Sequence, residues 1–151
     1  MRLLRKLKND YWGTLADWQD RRPIWFLGGG TALGLEIFSW AYFQNYLGLT
    51  PCELCVYIRF SMVVIFLGAM VAAVKPDNVL LKICGYLIVI WGMFKGLRWD
   101  IALELDYLKA LDDPWSIPCS MATASYPFGL PLDKWLPSHF APVAMCGEDG
   151  W

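Results

Sequence analysis

The chain has 151 residues, of which 57% are hydrophobic, 16% aromatic and only 18% charged, with a formal net charge of -1. A soluble domain carries about a quarter charged residues. The composition therefore excludes a disordered chain and a basic nucleic-acid-binding domain, and it disfavours a water-soluble globule. The charges fall mostly outside three apolar runs, so the membrane question comes first.

Residues 1–22 carry Arg2, Arg5, Lys6, Lys8, Arg21 and Arg22 and read as a cytoplasmic segment. Residues 24–47 hold a single charge, Glu36, and read as a first transmembrane helix. This run is too long for a signal peptide and lacks a small-residue cleavage pattern. Residues 48–55 form a short outside loop containing Cys52-Glu53-Leu54-Cys55. Residues 56–74, charged only at Arg59, read as a second span, and residues 75–78 as a turn. Residues 79–97 read as a third span, with Lys82 and Lys95 near its ends. A hydrocarbon core of roughly 30 Å needs about 20 helical residues, so each run can cross. The third does so if its two lysines send their ammonium groups to the headgroups along apolar stems. Residues 98–151 read as an outside loop that begins with a short helix over 99–111. Six prolines from Pro114 to Pro142 then preclude a long helix. The expected fold is an all-α transmembrane helix bundle of three visible spans with a proline-rich loop.

Lysine and arginine set the orientation. They crowd the N-terminus and recur at Lys75, between spans two and three, but are absent from 46–58. Residues 100–151 hold eight acidic residues and only Lys109 and Lys134. The N-terminus is expected in the cytoplasm, with the 48–55 loop and the C-terminal segment outside.

Four of the five cysteines, Cys52, Cys55, Cys119 and Cys146, then fall on one oxidising side. The Cys-x-x-Cys pair stands at a helix start, where the helix dipole lowers a thiol pKa. Two structural bridges, a four-cysteine zinc site and a thiol–disulfide relay all use these residues. The relay explains more, because an exchange pair at the membrane edge can pass electrons to a lipid-soluble quinone. Arg59 shares a helix face with Cys55 at i+4 and could bond a quinone carbonyl, or could simply reach for the headgroups. Cys84 reads as a small packed hydrophobe. Glu36, near mid-span, is expected to lie out of reach of Arg59 and to serve helix packing. Gly30 and Gly34 are expected to permit close helix approach, and His139 reads as an incidental loop histidine.

The stretch Pro51-Cys52-Glu53-Leu54-Cys55-Val56-Tyr57-Ile58-Arg59 resembles the first redox motif of the bacterial disulfide bond formation protein B family. The segment from Tyr126 to Pro137, with its Leu-Pro-Leu-Asp-Lys-Trp, and Thr31-Ala-Leu-Gly-Leu-Glu36 are similar to that family too. The resemblance implies an inner-membrane thiol oxidase that reoxidises a periplasmic thioredoxin-like dithiol oxidase and delivers electrons to the membrane quinone pool. It implies that Cys119 and Cys146 form the loop disulfide, that Cys119 forms the mixed disulfide with the partner, and that Cys52 exchanges with the loop pair. Cys55, close to Arg59, would then engage ubiquinone or menaquinone. It also implies a four-helix bundle, of which three spans fall within this sequence, which stops where a fourth would begin. The resemblance implies a histidine near the outer end of the third span; the best approximate position here is Leu103, with Asp100 and Glu104 around it, and sequence does not assign that role to His139. That departure suggests a divergent paralogue serving a dedicated partner, or a different proton route. A vitamin K epoxide reductase-type enzyme is disfavoured because its Cys-x-x-Cys follows the loop cysteines. A non-enzymatic membrane subunit with structural bridges is the alternative outside catalysis.

Overall fold

A computed structural model describes residue 13 and residues 19–112 and 124–144. Three long helical elements dominate: α1 (Arg22–Phe38), α2 (Glu53–Val74) and α3 (Val79–Asp112). Helix α1 starts with Pro23 in its first turn, a place where the missing N–H of proline is harmless. At Ser39 it passes into a π-helix (Ser39–Tyr46). The wider turn closes with Leu47 N donating to Tyr42 O at 3.0 Å. The first apolar run is therefore helical almost throughout, in two geometries.

Helix α2 lies between the other two and runs antiparallel to both. Its contact with α3 is made by glycines: a Cβ at Gly85 would meet Ala72 Cβ at 2.7 Å and the Gly68 carbonyl oxygen at 2.8 Å. Against α1, Gly29 is the close-approach residue, 2.9 Å from Ala69 Cβ by the same measure. Gly30 and Gly34, expected to permit close approach, have no neighbour within 4 Å of an added Cβ among the described residues. The α1 turn that meets α2 is set by Trp25, Gly29, Ala32 and Glu36, the buried residues of that helix. Without a hydrophobic drive inside lipid, such small-residue contacts let dispersion hold helices together. Gly85→Val is expected to lower stability by about 1–3 kcal/mol, because backbone as well as side chain blocks the added volume. Thermal melting in detergent reads it out.

Helices α2 and α3 are long and apolar enough to cross a membrane. At 1.5 Å per residue α2 is about 33 Å long, close to the hydrocarbon thickness. The outward faces are apolar as well: Leu27, Leu87, Ile90 and Phe94 are each at least 58% exposed. Together these give a helical protein with long apolar helices of membrane-spanning length. Helix α3 continues without a break through residues 98–112, where the sequence suggested a span followed by a separate short helix. Its lysines find partners inside the protein: Lys82 pairs with Asp20, and Lys95 Nζ lies 6.0 Å from the Trp99 ring centre. Cys84 is exposed on the outer face of α3 and is not packed in the interior as expected.

The proline-rich segment borrows its core from the helices. Ala124, Tyr126 and Phe140 are buried with Val56, Tyr57 and Phe60 of α2. A turn at Pro127–Gly129 and two short helices, α4 (Leu132–Trp135) and α5 (Pro137–Phe140), carry the chain across that end of the bundle. Tyr57 Oη accepts from Ser125 N at 2.8 Å and donates to Glu53 Oε1 at 2.9 Å. Burial, more than the neighbouring Tyr57, raises the Tyr126 phenol pKa. It therefore stays protonated and donates to the Phe140 carbonyl at 2.6 Å.

Candidate active site

The Cys-x-x-Cys begins α2. Cys52 is its N-cap, in extended backbone conformation, and its Sγ accepts from Cys55 N–H at 3.3 Å. Cys52 and Cys55 are joined as a disulfide with their Cα atoms 5.1 Å apart. Once the bond is reduced, the helix N-terminus favours a thiolate at the cap. Cys52 is buried against Leu54, Cys55 and Leu103. The carbonyl of Pro51 accepts from Val143 N at 3.0 Å and Ala144 N at 3.3 Å. The far end of the loop segment is thereby tied to the residue beside Cys52. Cys119 and Cys146 lie outside the described residues.

One turn beyond Cys55, Arg59 is buried, and it does not run out to the headgroups. Its Nη1 donates to Gln44 Oε1 at 2.7 Å and to the His139 carbonyl at 3.3 Å. Gln44 Nε2 in turn donates to the Ser138 carbonyl at 2.8 Å. The π-helix turns Gln44 toward α2, in keeping with the frequent use of such segments at functional sites.

Glu36 corrects the expectation that it cannot reach Arg59: its Oε1 lies 3.8 Å from Arg59 Nε. The two helices are antiparallel, with Glu36 two residues before the end of α1 and Arg59 six residues after the start of α2, so the end of one meets the beginning of the other. The long arginine stem covers the remaining gap. Glu36 Oε1 also lies 3.6 Å from His139 Nε2, and the His139 ring is 5.0 Å from that of Trp40. His139 is therefore no incidental loop residue. Two signals could have found it: a buried carboxylate needs a partner, and His139 is the only histidine in the chain. Burial first, and the Arg59 guanidinium second, hold its pKa below the ordinary histidine value.

Of these groups Cys52, Cys55, Arg59 and Glu36 line a cavity of about 780 Å³, and Gln44 and His139 stand behind them. Cys52, Cys55, Ile58, Arg59 and Met62 of α2 and its cap form one wall. Glu36 and Phe38 of α1 form another, and Asp100, Leu103, Glu104 and Tyr107 of α3 form a third. Leu103 stands at the cavity and packs against Cys52. The disulfide bond formation protein DsbB family model matches residues 21–151.

The chain belongs to the DsbB family. Its relatives include a DsbI-named protein of Campylobacter fetus subsp. fetus, 42% identical over 99% of this chain and 70% of the relative. Another DsbI-named protein, from Shewanella oneidensis, is 38% identical over 99% of the chain and 76% of the relative. The protein-disulfide oxidoreductase DsbI of Lelliottia amnigena is 38% identical over 90% of the chain and 63% of the relative. As a DsbB-family protein with its Cys-x-x-Cys closed as a disulfide, the chain is a disulfide oxidoreductase built on membrane helices.

Proposed function

We propose that the chain is a quinone-dependent protein-dithiol oxidoreductase of the bacterial inner membrane that reoxidises a periplasmic thioredoxin-like disulfide donor. The reading places the N-terminus in the cytoplasm, three spans over 24–47, 56–74 and 79–97, and both cysteine pairs on the periplasmic side. One observation carries it: an exchangeable disulfide and a buried arginine share one largely apolar cavity. Its volume is of the size that takes a small organic ligand, roughly 300–1,000 Å³. The lining suits a flat ring with two carbonyls, since apolar walls meet a single buried guanidinium.

A bound quinone supplies a two-electron, two-proton acceptor. The chain's own residues do the rest. Arg59 has a fork of donors, fixed by Gln44 and the His139 carbonyl, that can bond a carbonyl oxygen and favour negative charge there. Cys55 supplies the thiolate nearest that arginine. Cys52 exchanges with the loop pair Cys119–Cys146, and Cys119 receives the partner's thiol. Chain connectivity supports the exchange: Cys146 follows Ala144 by two residues, and Ala144 N–H is bonded to Pro51 beside Cys52.

The test is oxidation of a reduced thioredoxin-like protein by the purified chain in detergent, with and without a short-tail ubiquinone. Oxidation that depends on quinone is expected, and its absence overturns the proposal. Cys119→Ser should abolish oxidation of the partner yet leave reduction of quinone when a small dithiol is the donor. Unchanged partner oxidation in that variant removes Cys119 from the relay.

A further inference from the structure

We propose that Glu36 and His139 form a proton inlet from the loop side into the cavity, an inference that rests on the quinone reading above. Thiol–disulfide exchange proceeds through thiolates, so it carries electrons inward while the partner's protons are left in water. The step in the cavity must then be balanced from elsewhere. The Cys52 and Cys55 thiolates give up two electrons and form their S–S bond. The quinone takes those two electrons and two protons and leaves as quinol. Apart from the cysteines and Arg59, the titratable side chains of the mostly apolar lining that can carry a proton are Glu36, which is buried, and Asp100, Glu104 and Tyr107 at the side of α3.

Glu36 is the buried carboxyl in that lining, 4% exposed. Its Oε1 accepts no hydrogen bond among the described residues. Such a group is costly in a packed interior, and a proton-carrying role accounts for its position. Behind it His139 Nε2 is 3.6 Å away, and the histidine side chain is 27% exposed, so it touches both the carboxyl and the loop surface. The groups facing the pair are Arg59 from α2, with Nε 3.8 Å from Glu36, and the Trp40 ring from the π-helix. From α3, the acidic Asp100 and Glu104 and the phenol of Tyr107 line the same cavity. Burial and Arg59 keep His139 below the usual histidine pKa. It is therefore neutral near pH 7 and can take a proton from water and release it to Glu36. Glu36 then gives the proton to the reduced quinone oxygen and is reloaded.

The full-length chain, reduced with a small dithiol and mixed with a short-tail ubiquinone, is followed by quinone absorbance across mildly acidic to mildly alkaline pH. The wild-type rate should fall as pH rises, because proton entry limits it. His139→Phe keeps a ring against Trp40 and should be slower by roughly 100-fold, with the pH dependence lost. Glu36→Gln should show the same loss. His139→Ala should regain speed when imidazole is added, a response that a packing defect does not give. If both histidine variants keep the wild-type rate and profile, the inlet is overturned and the quinone reading stands. Slowing with an unchanged profile and no rescue by imidazole also overturns the inlet. If the wild-type chain leaves ubiquinone unreduced at every pH, the quinone reading itself falls and the inlet falls with it.

Discussion

Cys55→Ser is expected to lower quinone-linked oxidation by at least roughly three orders of magnitude while leaving the helix start intact. A serine hydroxyl can form no disulfide with Cys52, so the electron pair has no route out of the exchange system. The fold should tolerate the change. The bond to Cys52 Sγ comes from the backbone N–H of residue 55, which serine retains. The side chain is only partly buried, and serine is close in volume to cysteine. The chief structural loss is a disulfide that closes a very short loop, worth about 2 kcal/mol by chain entropy. Quinone reduction and thermal melting, measured on one preparation, separate the two effects. A variant that melts a few degrees lower but still passes electrons to quinone would remove Cys55 from the proposed path.

The parts of this protein that were legible in sequence are those set by local pattern. Apolar runs of sufficient length gave the helices, and the step from Pro51 into Val56 placed Cys52 at a helix start, where the structure has it as N-cap. Spacing put Arg59 on the face of Cys55, and both line the cavity. What local pattern does not carry is contact across the bundle. Four glycines lie on the first run, but only the phase of α1 against α2 decides that Gly29 makes the contact. Glu36 and Arg59 are 23 positions apart, and their approach depends on how two antiparallel helices are offset. His139 reaches the pair only because the proline-rich segment folds back across α2, tied through Gln44 and Pro51. The π-helix is equally silent in sequence, since its residues read as an ordinary continuation of an apolar helix.

Arg59→Met should reveal which of two roles dominates at the centre of the site. The first is structural. Removing the guanidinium leaves Glu36 buried without its cation and frees the Gln44 and His139 carbonyl acceptors. Breaking one side of a buried ion pair costs about 3–5 kcal/mol. The second is chemical: losing a donor aimed at developing negative charge slows a reaction by roughly 100- to 1,000-fold. Both predict a poor single variant, so the double variant Glu36→Gln/Arg59→Met is the informative one. With the carboxylate neutralised, most of the lost stability should return, because no uncompensated charge remains. If Arg59 serves quinone reduction, the restabilised double variant should be slower than Glu36→Gln alone by a further roughly 100-fold. Restored stability with a rate equal to that of Glu36→Gln would reduce Arg59 to a counter-ion. Arg59→Lys sharpens the distinction. Lysine keeps the charge beside Glu36 but lacks the planar fork that bonds Gln44 and the His139 carbonyl from one Nη1. It should therefore preserve most of the stability while the apparent affinity for ubiquinone weakens by about tenfold, corresponding to one charge-assisted hydrogen bond of about 1.5 kcal/mol.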